Sequence, residues 1–401
     1  MKNLLKSLSL ALFVAATLLT QSAHIQTSLP SDTIPATSPS PHFCKAIGGP
    51  ENEWGESLIQ TADGGYAIAG TTTSFGAGEW DVYVVKLDAN GNLQWTKTIG
   101  GKNWEEGKSL IQTSDGGYAI AGYTNSFGAG YADVYVVKLD ANGNLQWTKT
   151  IGGPGDEIGK SLIQTSDGGY AIAGETKSFG AGRRDVYVVK LDANGNLQWT
   201  KTIGGKNDDA GISLIQTSDG GYAIASITES FGAGGADVYV VKLDANGNLQ
   251  WTKTIGGPES EIGSSLIQTS NGGYAIAGYT QSFGAGSGDV YVVKLDANGN
   301  LQWTKTISAK NKNYSKSSLI QTSDGGYAIA GKTESFGAGG DDVYVVKLDR
   351  NGDACCAVSQ TSQVGSGGRL RSATPSIGSG GKLTSPTSST SSGGTLTNQC
   401  P

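Results

Sequence analysis

Residues 109–153 read SLIQTSDGGYAIAGYTNSFGAGYADVYVVKLDANGNLQWTKTIGG, and the fold is decided there because the chain repeats this stretch. Its opening Ser-Leu-Ile-Gln-Thr recurs from Ser57, Ser109, Ser161, Ser213, Ser265 and Ser318, every 52 residues and once after 53. A fixed period of that size signals a repeat architecture. Four runs in the unit read as strands: Ser109–Thr113, Gly117–Gly122, Asp133–Asp140 and Leu145–Ile151. Ser114-Asp115-Gly116-Gly117 joins the first pair and Asp140-Ala141-Asn142-Gly143-Asn144 the last, each supplying Gly or Asn where a tight turn needs positive φ. No helical periodicity occurs in the unit.

The strands are ordered by their patterning. Val134-Tyr135-Val136-Val137 is apolar on both faces, as a strand held between neighbouring sheets must be. Leu145, Trp147 and Ile151 alternate with Gln146, Thr148 and Thr150, which describes an outer strand with one wet face. Four antiparallel strands in about 50 residues make one propeller blade. The expected fold is therefore all-β, a six-bladed β-propeller over residues 41–356.

The ends of the repeat region predict how the ring closes. Pro41–Gly49 aligns with Leu93–Gly101, so the region begins on a fourth strand and ends after three. The N-terminal strand is expected to complete the last blade and remove two sheet edges. That places Cys44 near Cys355 or Cys356; with Cys400 there are three possible pairings, and the sequence leaves them open.

Flanking segments differ in kind. Residues 1–23 have a secretory signal pattern: Lys2 and Lys6, an apolar run, then small residues at Ser22 and Ala23. Residues 24–40 form a Pro/Ser/Thr linker. The expectation is a secreted or extracytoplasmic protein with no membrane span after cleavage, in a compartment that permits disulfides. Residues 357–401 are rich in Ser, Thr and Gly, and Gly365-Ser-Gly-Gly, Gly378-Ser-Gly-Gly and Ser391-Ser-Gly-Gly recur every 13 residues. This composition predicts a flexible tail, the alternative being a small β-element bracketed by Cys356 and Cys400.

The unit also resembles a known family. Lys86-Leu87-Asp88-Ala89-Asn90-Gly91-Asn92-Leu93-Gln94-Trp95 is similar to the tryptophan-docking repeat of quinoprotein-type (PQQ-like) propellers, in which an Asp-turn-Gly leads to a Trp packed between blades. The whole unit more closely resembles repeats of secreted bacterial and archaeal β-propeller proteins. The resemblance implies packing roles for Trp95, Trp147, Trp199, Trp251 and Trp303. Quinoprotein dehydrogenases are generally eight-bladed and hold quinone and Ca²⁺ through residues that break the symmetry. Here six blades are counted and no cofactor constellation is found.

Composition narrows the function further. Two histidines in 401 residues leave no material for a His-ligated metal site or a Ser-His-Asp triad. Setting aside Lys2, Lys6 and Asp32 before it and Arg369, Arg371 and Lys382 after it, the −6 chain leaves a charge of −10 on residues 41–353. That charge repels phosphate, so nucleic acid is not an expected partner.

What remains after subtracting the repeat lies on one face, where loops joining strands two and three meet loops between blades. Apart from Phe13 in the signal, seven aromatic residues fall outside repeat columns: Trp54, Trp80, Trp104, Tyr123, Tyr131, Tyr279 and Tyr314. All are expected in or at the edge of these variable loops. Arg183 and Arg184 depart from their columns in the third unit, and Lys310, Lys312, Tyr314 and Lys316 break the pattern in the last. Clustered aromatics among polar neighbours mark a binding surface. Trp54, Trp80, Trp104, Tyr123, Tyr131, Arg183 and Arg184 are therefore the candidate ligand-binding residues.

A second column, Glu53, Glu105, Glu157, Asp209 and Glu261, precedes the inner strands. Oxygen ligands there suit Ca²⁺, while the simpler reading is that each acid fixes its loop through backbone N–H groups. Asp81, Asp133, Asp185, Asp237, Asp289 and Asp342 open every third strand and are read as loop anchors. The expected function is a non-catalytic binding or adhesion module for an extracellular glycan, peptide or surface polymer, with no required cofactor. A quinoprotein-like oxidoreductase or other propeller enzyme and a structural surface protein are the alternatives.

Overall fold

The structure is a computed structural model. It describes residues 42–284, 288–307, 313–334, 342–354 and six short strands between 364 and 398. The signal, the linker, Cys355, Cys356, Cys400, Lys310 and Lys312 lie outside the described residues, as do the side chains of Tyr314 and Lys316.

After β1 (Lys45–Gly48) come five four-stranded blades. Blade 1 is β2 (Glu53–Gln60), β3 (Tyr66–Thr72), β4 (Asp81–Leu87) and β5 (Leu93–Gly100). Blade 2 is β6 (Glu105–Gln112), β7 (Tyr118–Thr124), β8 (Asp133–Leu139) and β9 (Leu145–Gly152). Blade 3 is β10 (Glu157–Gln164), β11 (Tyr170–Thr176), β12 (Asp185–Leu191) and β13 (Leu197–Gly204). Blade 4 is β14 (Asp209–Gln216), β15 (Tyr222–Thr228), β16 (Asp237–Leu243) and β17 (Leu249–Gly256). Blade 5 is β18 (Glu261–Gln268), β19 (Tyr274–Thr280), β20 (Asp289–Leu295) and β21 (Leu301–Ile307). Blade 6 has three strands, β22 (Asn313–Gln321), β23 (Tyr327–Thr333) and β24 (Asp342–Leu348). The fold is an all-β six-bladed propeller, as its repeat requires.

Blades are held together by apolar layers between sheets. Ala67, Ala69, Val82, Val84 and Ile99 of blade 1 pack with Leu110, Tyr118, Ile120, Tyr135, Val137 and Leu139 of blade 2. The next three junctions repeat this set. Trp95 meets the edge of Tyr118 in the following blade at 5.5 Å and 72°. It also lies over Gly143, where φ is +76° and an added Cβ would fall 3.0 Å from the indole. Only glycine suits both the turn and the ring. Polar staples reinforce each junction: Ser57 Oγ accepts from Leu110 N–H at 3.1 Å, and Gln112 Oε1 accepts from Ala62 N–H at 2.8 Å.

One buried column contains a natural substitution. Lys138 is buried, yet its Nζ reaches Asp115 at 2.8 Å and the carbonyl of Leu139 at 3.0 Å. Against the desolvation that would raise it, Lys138, Thr113 and the Gly117 N–H hold Asp115 at about 2. In blade 5 Asn271 stands in the aspartate's place, and burial lowers the pKa of Lys294. Asn271→Asp is therefore expected to stabilise the protein by about 1 kcal/mol, discounted because the aspartate position is half exposed. That gain should be present at neutral pH and lost as pH falls through the aspartate's depressed value. Urea unfolding of the two proteins at pH 7 measures it.

Two features depart from expectation. The described residues of the tail are strands. Strands β25 (Val364–Gly365), β26 (Arg369–Arg371), β27 (Ser376–Gly378), β28 (Lys382–Thr384), β29 (Ser389–Ser391) and β30 (Thr395–Asn398) pair antiparallel with β21, β17, β13, β9, β5 and β1 in turn. In register, Val364, Leu370, Ile377, Leu383, Thr390 and Leu396 stand opposite Ile307, Ile255, Ile203, Ile151, Ile99 and Ile47. Those positions advance by thirteen residues for every two blades, which is the physical origin of the glycine period. The composition shows no hydrophobic run because each step adds a strand of only two to four residues.

The second departure is at the ring's seam. β1 pairs with β30, while β24 bridges Ala354 at Leu348, so the expected ladder between β1 and β24 is absent among the described residues. β1 is attached to blade 1 instead: Phe43 takes the Trp position and meets the edge of Tyr66 at 5.6 Å. Leu58 on blade 1 is consequently 66% exposed where Leu110, Leu162, Leu214, Leu266 and Leu319 are each 3%, and Val343 on β24 is 85% exposed.

Candidate functional site

The acidic column is built into the loops. Glu105 Oε2 accepts from Gly101 N–H at 2.6 Å, and Oε1 accepts from the Thr124 hydroxyl at 2.6 Å and Ser126 N–H at 3.2 Å. Glu157 and Glu261 repeat the set, Glu53 accepts from Gly49 N–H and Thr72, and Asp209 takes Gly205 N–H and the Ser230 hydroxyl. Most of these acids are fully buried, not presented to a solvent-filled mouth. Among the described residues there is no group of three or more His, Cys, Asp or Glu side chains arranged for a metal.

Trp54, Trp80 and Trp104 come together as one stack. The Trp54 and Trp80 rings lie 4.9 Å apart at 29°, and Trp80 and Trp104 5.5 Å apart at 22°. Three different segments supply them: β2, the loop before β4 and the connection into blade 2. The backbone makes the meeting possible, because Trp80 and Trp104 form an isolated parallel bridge and Glu105 N–H donates to the Trp80 carbonyl at 2.8 Å. At the next two junctions the bridged pairs are Ala132 with Asp156 and Arg184 with Asp208, so the ladder is particular to blades 1 and 2. Trp104 Nε1 donates to Glu79. Trp80 has both faces covered, whereas Trp54 and Trp104 at the ends are 42% and 45% exposed. A flat or apolar ligand surface can continue such a stack at either end.

The remaining candidates divide into other groups. Tyr131 stands exposed on its loop, where its N–H donates to the Gly155 carbonyl at 3.3 Å, and Arg183 is also exposed. Arg184 is engaged: its Nη1 lies 3.2 Å from Glu175, which Lys160 holds from the other side at 2.5 Å. Tyr123 and Tyr279 are in strands β7 and β19, not in loops, and line a cavity of about 1340 Å³. This is the central channel, walled by inner strands.

The channel holds residues that an aromatic census overlooks. Lys108 sits between Glu106 and Glu56, the latter at 3.3 Å. Against the burial that would lower it, those two acids hold Lys108 above the ordinary lysine range. Burial and a hydrogen bond to Glu106 push the Tyr123 phenol upward. Ile158, Ile212 and Ile262 line the same channel. The signal was present in the repeat. Trp54, Glu106, Ile158, Ala210 and Ile262 occupy one column, and Glu56, Lys108, Lys160, Ile212 and Ser264 another, in strands whose other positions hardly change. Variation between units therefore maps onto the bore as well as the loops.

Residues 132–387 match a family model described as outer membrane protein assembly factor BamB, and residues 61–93 match a β-propeller domain of unknown function, DUF5122. The chain is 27% identical over 277 residues to "Regulatory protein FlaEY" of Caulobacter vibrioides, covering 61% of this chain and 28% of that protein. The chain thus spans little more than a quarter of that relative. Among solved structures, Sqt1 from Chaetomium thermophilum aligns over 79% of this chain and 88% of its own at 12% identity and TM-score 0.41. An endo-1,5-α-L-arabinanase from Thermotoga petrophila aligns over 77% and 93% at 13% identity and TM-score 0.33. With blades, docking tryptophans and the family match in agreement, the chain belongs to the PQQ_2 family, described as outer membrane protein assembly factor BamB.

Proposed function

We propose that this protein is a non-catalytic, extracytoplasmic binding module that captures a glycan, peptide or surface polymer on the variable-loop face of the propeller. The observation that carries the reading is the Trp54–Trp80–Trp104 ladder, which is costly to expose and whose two end rings are nearly half exposed. Solvated indoles of this kind supply much of the binding free energy at recognition surfaces. The charged groups nearby are committed to one another, as in Lys108 with Glu106 and Glu56, which suits recognition better than proton transfer. The family's name supports an extracytoplasmic location.

The test is an array of glycans and peptides probed with the full-length chain, with and without Ca²⁺. Specific retention is expected, independent of Ca²⁺, and lost in the Trp54→Ala/Trp80→Ala/Trp104→Ala variant. Retention unchanged by the triple substitution would remove the site assignment. Dye-linked dehydrogenase activity on reconstitution with quinone and Ca²⁺ would replace the reading with an oxidoreductase.

A further inference from the structure

Each of the four junctions between blades 1 and 5 buries two carboxyl groups against one another. At the first, Asp81 opens β4 and Glu105 opens β6, and they are 1% and 0% exposed. Asp81 Oδ2 accepts from Ala77 N–H at 3.1 Å and Gly78 N–H at 3.2 Å, but its Oδ1 is buried with no hydrogen-bond partner. That bare oxygen and Glu105 Oε2 converge over Gly100: a Cβ placed on the glycine would lie 2.0 Å from one and 2.5 Å from the other. The second junction repeats the arrangement. Asp133 Oδ1 has no partner, and over Gly152 it and Glu157 Oε2 lie 1.8 and 2.6 Å from the same point. Asp185 and Asp209 form a third pair over Gly204, at 1.9 and 2.7 Å.

Two ionised carboxylates facing one another in a buried space repel, and neither is offset by a cation. Among the described residues no lysine or arginine is ion-paired to Asp81, Asp133, Glu105 or Glu157. The charged group acting on Asp81 from the adjoining blade is Glu105, and on Asp133 it is Glu157, with the Tyr187 phenol of β12 also facing the second pair and pushed upward by burial and by both acids. Within blade 1, Glu53 is engaged by the Thr72 hydroxyl and Gly49 N–H, and it too is acidic. The two members of a pair are not equivalent. Both oxygens of Glu105 already accept from donors, which the ionised form satisfies best, whereas Asp81 has an oxygen free to carry hydrogen.

We propose that Asp81 and Asp133 stand as neutral carboxylic acids whose Oδ1 hydrogens turn toward the ionised Glu105 and Glu157, so that each of these two junctions is closed by one proton. A cation in the same place would need several more oxygen ligands than two carboxylates supply. The consequence is a ring whose junctions tighten in mild acid. Burial, reinforced by the facing glutamate and opposed by the loop N–H groups, raises both aspartates to about 6. The folded chain then holds protons that the unfolded chain releases. Stability from these groups is full below the unfolded value, is lost as pH rises through about 6, and is level above that.

The experiment compares the full-length chain with the Asp81→Asn/Asp133→Asn variant at pH 5 and pH 7.5, in EDTA and in Ca²⁺. An asparagine can donate its amide where the acid donates its proton, while its carbonyl keeps the loop N–H groups. The wild-type melting temperature should be higher at pH 5 than at pH 7.5 by roughly 5 °C more than in the variant. The variant should keep its stability at pH 7.5, and EDTA should change neither protein. An infrared difference spectrum at pH 5, wild type minus variant, should show the carbonyl stretch of a protonated acid as a positive band, a readout independent of unfolding. A Ca²⁺-dependent melting temperature with a variant destabilised at both pH values would assign the pairs to a cation and overturn the proposal. So would a difference spectrum with no protonated acid.

Discussion

Replacing Trp80 with alanine is expected to dismantle the aromatic ladder and weaken ligand retention at least about 30-fold, the effect of losing a binding hot spot. Trp80 is the middle ring, so its removal breaks both stacked contacts at once. Each such contact contributes about 0.5–1.5 kcal/mol beyond the area it buries, so a stability loss of about 1–3 kcal/mol should accompany the change. Coupling between stacked indoles should also vanish from the near-ultraviolet circular dichroism. The control is Trp199→Ala, which removes a docking tryptophan set edge-on to Tyr222 at 5.7 Å. That substitution should cost about 3 kcal/mol of stability and leave retention intact. Should both variants lose retention equally at a temperature where each is folded, the ladder would have no special role.

Deleting residues 357–401 should convert a well-behaved chain into one that self-associates. The short strands β25 to β30 cover the outer strands of five blades and of β1. Their hydrogen bonds stabilise by about 1 kcal/mol each, but ordering each residue costs about 1–2 kcal/mol, so the net effect on folding is small. What changes is exposure. Six sheet edges become available together, and unprotected edges pair with other chains. Light scattering across a concentration series should show the truncated chain growing in size while far-ultraviolet circular dichroism keeps its strand signal. A truncated chain that remained monomeric over that series would show the outer edges to be protected by other means.

The sequence made the blades legible because each carries the same turn chemistry and strand pattern six times. It also singled out the residues of the ladder, since Trp54, Trp80 and Trp104 are aromatic where most units carry no aromatic residue. Their stacking was not legible, because it depends on a bridge between the loop before β4 and the next blade's entry. The pairing of the tail strands is not legible for a physical reason: a strand of two to four residues added to an existing edge needs neither alternation nor a hydrophobic run. β1 was correctly read as an outer strand, yet sequence alone does not reveal that Phe43 secures it to blade 1 while β24 is left exposed. The charged side of the channel is legible as Glu56, Glu106 and Lys108, plain departures within nearly identical strands, but their mutual pairing depends on neighbouring inner strands that only the fold brings together. Asp81 was read as a loop anchor, which one of its oxygens is, while the other faces Glu105.

The central claim is that ligand is captured at the ladder, and it is tested most directly by watching the ladder during capture. A glycan or peptide retained by the full-length chain should be titrated while the near-ultraviolet circular dichroism and fluorescence of the tryptophans are recorded. The account predicts a saturable change in the stacked-indole signal with the same midpoint as retention, absent from the Trp80→Ala variant. Saturable retention that leaves this signal unchanged would place the ligand elsewhere and contradict the account.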